Sequence, residues 1–191
     1  MFLKSKSYII IFIFLLGCNN NDQYIRNYKV YKNSIEVESE KPIPELGFVW
    51  DAPDSWIAYN SDSSMRLASY QVPYYGYESS KIEYGDVSIF MFNQDSGTDQ
   101  ENVNRWRGQI GLPPQTALEI ESSAQNQSND LGLYKIFKLI NKSSSDTAFL
   151  CAIMPINNNK IFIKLSISKI GINIIEEDFF NFCQSFSLVK K

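Results

Sequence analysis

Histidine is absent from all 191 residues. Its absence excludes Ser/His/Asp and Cys/His nucleophile pairs, imidazole zinc sites and histidine acid/base catalysis, because each needs a ring nitrogen that titrates near neutrality. Cysteine is scarce: Cys18, Cys151 and Cys183 show neither Cys-x-x-Cys nor metal-ligand spacing, so no metal site is expected. Lys and Arg total 18 against 21 Asp and Glu, a net charge of −3, and the bases do not cluster. Without the positive field that condenses on phosphate backbones, nucleic acid is a poor partner. Gly-rich phosphate loops and a Gly-x-Ser-x-Gly elbow are also missing, so no cofactor is expected and no residue is given a catalytic role. The acid clusters are Asp95/Asp99 and Glu176-Glu177-Asp178. Adjacent helical residues point in different directions, which makes the triplet a poor carboxylate dyad. Metal-independent carboxylate chemistry is the enzymatic reading that survives.

What the sequence does contain begins at its amino end. Lys4 and Lys6 precede an unbroken apolar run from Tyr8 to Leu16, and Leu15-Leu16-Gly17-Cys18 follows directly. These residues resemble a bacterial lipoprotein signal peptide with its lipobox. The run is about half of the roughly 20 residues that a spanning helix needs. The resemblance implies that residues 1–17 are removed and that Cys18 becomes the lipidated first residue, acylated on sulfur and on its new amino group. Cleavage would remove two lysines and no acid, taking the side-chain charge from −3 to −5. Two or three acyl chains anchor a protein stably, since each buried methylene contributes about 0.8 kcal/mol and one chain alone is marginal. The implied location is the cell envelope, with the domain outside the cytoplasm and the membrane a partner through the lipid.

Residues 18–45 are polar and acidic, with Asn19-Asn20-Asn21-Asp22 at the start and acids and prolines over 36–45. They read as a spacer, although Tyr24, Ile25, Tyr28, Val30 and Tyr31 would also suit a short docking segment. Residues 46–191 read as one α+β domain. Strands are expected at 47–50, 65–72, 87–92, 131–140, 147–154 and 161–168, with a hairpin at Asn157-Asn158-Asn159-Lys160. Thr98-x-x-Glu101 has capping-box spacing ahead of Val103, Trp106 and Ile110, which predicts a helix near 98–110. Asn173-x-x-Glu176 repeats the signal, and Ile175, Phe179, Phe182 and Phe186 fall on one helical face over 174–186. The expected fold is an antiparallel sheet of five to seven strands flanked by two or more helices.

Several spacings together carry a second resemblance: Gly47-Phe48-Val49-Trp50-x-x-Pro53-x-x-Trp56, Ser64-Met65-Arg66, Val87-x-Ile89-Phe90-x-Phe92, Asn102-x-x-Arg105-Trp106-x-x-Gln109 and Phe162-x-Lys164-Leu165. Followed by a phenylalanine-rich helix ending Ser185-Phe186, they resemble a family of uncharacterised exported bacterial proteins; more distantly, the opening strand with Pro and Trp and the closing helix ending Ser-Phe resemble the PsbP-type fold. The resemblance implies an accessory or assembly module, and it supplies no catalytic residue.

Two constellations could bind a partner. Asn102, Arg105 and Gln109 fall within about 60° on the first helix, so Arg105 could meet an anion while the amides orient it. The favoured reading is structural: the arginine pairs with an acid or caps a loop, and the amides satisfy backbone groups of the sheet. Tyr74, Tyr75, Tyr77 and Tyr84 lie among Pro73, Gly76, Ser79, Ser80 and Gly85, a composition that suits an exposed loop. Those rings would serve a protein partner, or stack on sugars; the competing reading keeps Trp50 and Trp56 in the core and leaves the tyrosines idle on the surface. Cys151 and Cys183 are expected to be reduced, because a helix packed on a sheet holds thiols too far apart for a bridge. The functional expectation is a non-catalytic binding module with an envelope protein as partner; the alternative is a glycan-acting hydrolase that uses carboxylates. Feeding cells a fatty-acid analogue should label the wild-type chain, and Cys18→Ala should abolish the label; persistent labelling of the alanine variant would contradict the lipid assignment.

Overall fold

The computed structural model describes residues 47–76, 81–143 and 146–189, all of which belong to one compact unit. The signal segment, Cys18, the spacer and Tyr77 lie outside the described residues. In chain order the elements are β1 (Phe48–Val49), β2 (Ile57–Ala58), β3 (Ala68–Tyr75), β4 (Ile82–Asn93), α1 (Asp99–Gln109) and α2 (Ala117–Ser123). They continue as β5 (Gln125–Asn129), β6 (Gly132–Ile140), β7 (Thr147–Ile156), β8 (Asn159–Ser168), α3 (Gly171–Gln184) and β9 (Ser187–Leu188). Seven strands form one antiparallel sheet in the order β2-β3-β4-β8-β7-β6-β5, and β1 pairs with β9. This is the α+β architecture that the alternating pattern predicts.

Alternation decides which side chains meet which helix, since successive strand residues point to opposite faces. Val87 and Ile89 of β4, Leu150 and Ala152 of β7, and Ile163 and Leu165 of β8 pack in the core beneath α3. Phe137 and Leu139 of β6, Phe149, Cys151 and Ile153 of β7, and Phe162 of β8 pack with Val103, Trp106 and Ile110 of α1 and Ile120 of α2. The sheet therefore separates two apolar clusters. Cys151 sits in one and Cys183 of α3 in the other, both as buried free thiols whose burial raises them above the ordinary thiol pKa.

α1 starts as its sequence predicts: Thr98 Oγ1 accepts from the Glu101 amide, and Glu101 Oε2 accepts from the Thr98 amide. α3 does not. It begins at Gly171, without the Asn173 cap that the spacing suggested. A Cβ at Gly171 would lie 2.6 Å from the Tyr74 ring, so the residue must be glycine for the helix to seat on the sheet. Asn173 and Glu176 instead accept from Lys138 Nζ at 2.9 and 2.6 Å, tying α3 to β6. On the opposite face Lys135, also from β6, reaches Asp99 of α1 at 3.0 Å and Glu121 of α2 at 2.6 Å. These half-exposed pairs contribute at most about 1 kcal/mol each, so they set register more than stability.

The larger stabilisation comes from α3. Ile175, Phe179, Phe182 and the following Phe186 are all buried, as their spacing requires, and Phe182 meets Trp56 at 4.8 Å and Phe186 at 5.5 Å between ring centroids. Phe182→Ala should cost about 3–5 kcal/mol, read from urea unfolding. A loss below about 1 kcal/mol would mean that the helix does not pack through this face.

Candidate functional site

The polar stripe of α1 is the best-formed constellation. Asn102 is buried, and its amide nitrogen donates to the carbonyls of Ser96 at 3.2 Å and Thr98 at 2.9 Å. With its nitrogen committed, its Oδ1 faces Arg105 and accepts from the guanidinium at 3.0 Å. Two turns after Asn102, Gln109 Oε1 accepts from Lys164 Nζ of β8 at 3.1 Å, and the same ammonium sits 4.8 Å from the Phe149 ring centroid. Asn102 thus satisfies backbone carbonyls, as one alternative expected of the amides, while Arg105 pairs with an amide and not with the acid which that alternative named. Each amide of the stripe holds one cation.

These groups line a groove of about 470 Å³ between α1 and the sheet. Its apolar wall is a run of rings: Phe90 and Phe92 of β4 stack at 5.9 Å, Phe92 meets Phe162 at 5.9 Å, and Phe162 meets Trp106 of α1 edge-on at 6.1 Å. Met65 stands exposed at the rim. Its place is fixed by the next residue, because Arg66 grips Asp86 of β4 with two nitrogens at 3.2 Å each. Tyr59 hydrogen-bonds the same carboxylate and accepts from Arg66 at 3.0 Å. Burial and the Asp86 carboxylate push the Tyr59 phenol above its ordinary pKa, so it remains a donor. The floor loop is pinned by Lys160 Nζ, which donates to the Gly97 carbonyl at 2.7 Å. Ser96 on that loop lines the groove, and its hydroxyl is buried without a hydrogen-bond partner among the described residues.

The tyrosine set corrects the loop reading. Tyr74, Tyr75 and Tyr84 lie on paired strands, with Pro73 opposite Tyr84 and Tyr74 opposite Glu83. Two supposed loop markers are strand residues. β2 pairs with β3 at Tyr70 and Gln71, leaving the strand an edge at Pro73, where a missing N–H is tolerated. Gly85 packs where a Cβ would approach Leu165 within 2.9 Å. Tyr74 is 5% exposed and belongs to the α3-side core, its hydroxyl 2.7 Å from Glu83 Oε2 and 2.9 Å from Ser168 Oγ. It is therefore a core residue of a strand and not an exposed loop ring. Tyr75 and Tyr84 are 62% and 53% exposed and, by alternation, project from the same sheet face as Phe90 and Phe92. Trp56 is buried, and Trp50 stacks on Phe186 and donates to the Tyr70 hydroxyl at 2.8 Å, so both tryptophans serve the core.

Carboxylates gather elsewhere. Glu83 and Asp146 line an open depression of about 420 Å³ with Tyr74, Tyr84 and Ser166. Sequence reasoning missed Lys164 and the Phe90-Phe92-Phe162 wall as site residues. The available signal was Phe162, an apolar residue at the strand parity otherwise occupied by Lys160, Lys164, Ser166 and Ser168.

No protein-family model and no curated protein matches the sequence. Solved structures do. Cyanobacterial PsbP from Synechocystis sp. PCC 6803 aligns with a TM-score of 0.50 and 12% identity over 78% of this chain and 91% of that one. A protein from Bacteroides thetaiotaomicron gives 0.42 and 12% over 79% and 47%, and LpqN of Mycobacterium tuberculosis, described as involved in cell envelope biogenesis, gives 0.39 and 9% over 75% and 83%. The chain thus shares the PsbP-type fold.

Proposed function

We propose that this chain is a bacterial envelope lipoprotein that binds rather than catalyses, held to the membrane through Cys18. Its working surface is the half of one sheet face that α1 and α2 leave uncovered. One observation carries the reading: the groove where two amides hold Arg105 and Lys164 includes the exposed ring of Phe92, and farther along the same sheet face, past Ser88 and Asp86, Tyr84 and Tyr75 are exposed. Interface energy concentrates in a few aromatic and arginine anchors, and rings on paired strands lose little freedom when a partner covers them. An envelope protein is the partner this broad aromatic face fits. Among the described residues no helix is long and apolar enough to cross a membrane, so the anchoring part of the proposal rests on the lipobox-like segment. The hydrolase alternative draws on Glu83 and Asp146 in the second depression.

A photoreactive phenylalanine analogue placed in living cells at position 75 or 84 should crosslink to one common envelope protein. The same analogue at Leu118, exposed on α2 and outside the uncovered strands, should not. Equal capture from all three positions, or none from 75 and 84, would overturn the assignment of the surface.

A further inference from the structure

The groove at the end of the open face has a charge pattern that selects its occupant. Among the described residues no Asp or Glu lines it, and neither Arg105 nor Lys164 has a carboxylate within ion-pair distance. The acid one turn before Arg105, Glu101, is hydrogen-bonded at the helix start by the Thr98 amide at 2.7 Å and hydroxyl at 3.0 Å, which keep its carboxyl below the usual range, with the charges of Arg105 and Lys160 as smaller causes, and it forms no ion pair with Arg105. In a chain with more acids than bases, two cations that line one groove with amides as their hydrogen-bond partners, and with no ion pair to either among the described residues, are a departure from ordinary surface pairing. A guanidinium carries five N–H donors and an ammonium three, so most of both sets remains for a ligand. Behind them lie only rings and the flexible Met65, with the buried Ser96 hydroxyl as a further donor or acceptor.

We propose that this groove binds a single-chain fatty carboxylate, the head group bridging Arg105 and Lys164 and the acyl chain lying on Phe90, Phe92 and Met65. The proposal rests on the reading of the open face as a binding surface and adds the chemistry of one ligand. A carboxylate offers one oxygen to each cation, and such charge-assisted hydrogen bonds are about twice as strong as neutral ones. The volume, about 470 Å³, falls in the roughly 300–1,000 Å³ range of small-molecule sites. Met65 supplies an adaptable, polarisable rim that suits a chain of variable shape. A bilayer head group fits less well, because lipid-surface recognition uses clusters of about four to eight Lys/Arg, whereas here two cations sit inside a groove of an acidic chain.

The full chain, held in amphipol, can be irradiated with a diazirine-bearing dodecanoate and the adducts mapped by peptide mass spectrometry. Adducts should fall on the peptides containing Met65 and Phe90–Phe92 and be displaced by dodecanoate. The methyl ester of the same probe should label at least tenfold less. Arg105→Gln and Lys164→Gln should each lower labelling about tenfold while leaving the melting temperature unchanged. Equal labelling by the ester would overturn the head-group assignment, and stronger displacement by dodecyl phosphate than by dodecanoate would replace carboxylate with phosphate. Absence of groove adducts overturns the fatty-carboxylate proposal; the binding-surface reading then still stands if positions 75 and 84 crosslink in cells, and falls with it if they do not.

Discussion

Ile175, Phe179 and Phe182 leave α3 with an apolar stripe that only a broad flat surface can bury, and Phe186 extends it past the helix end. Each buried phenylalanine contributes about 1.5–3 kcal/mol, more than any ion pair in the domain. The strands answer with aliphatic residues on one parity. The chain then closes the ends of the helix with its own ring system: Trp56 and Tyr70 against Phe182, Phe48 and Trp50 against Phe186. Gly171 allows α3 to start in contact with Tyr74, which fixes how the helix lies across β3 and β8. With that face filled, the remaining freedom of the fold lies on the other one.

There the cover is incomplete. α1 and the short α2 seal β6, β7 and part of β8, and Lys135 ties both helices to β6. β4 and β3 continue past the edge of α1 with Phe92, Tyr84 and Tyr75 exposed, and the step from helix to open sheet is the groove. A polar stripe at the margin of an amphipathic helix would ordinarily face water. Here it lines the step, where Asn102 accepts from Arg105 and Gln109 accepts from Lys164, whose ammonium lies against the Phe149 ring.

How much of this could be read from the chain depends on whether the signal is local. The Thr98/Glu101 cap and the α3 stripe are local patterns: α1 starts where its cap places it, and the residues of the α3 stripe are all buried. The α3 start was misplaced because Asn173 and Glu176 resemble a cap but serve Lys138, a contact 35 and 38 residues away in sequence. α2 has seven residues with only Ile120 buried, and β5 is Gln-Asn-Gln-Ser-Asn, so neither carries hydrophobic periodicity. Pro73 and Gly85 imitated a loop because an unpaired edge and a close inter-strand approach require the same residues that turns do. The stripe of Asn102, Arg105 and Gln109 was visible; its meeting with Lys164 and the phenylalanine wall is tertiary.

The central claim, one sheet face filled and the other half open, is tested most directly by hydroxyl-radical footprinting of the folded chain with residue-level mass spectrometry. The account predicts rapid oxidation of Met65, Tyr75, Tyr84 and Phe92 and strong protection of Phe137, Phe149, Phe179 and Phe182. Protection of the first four as deep as that of the second four would contradict it.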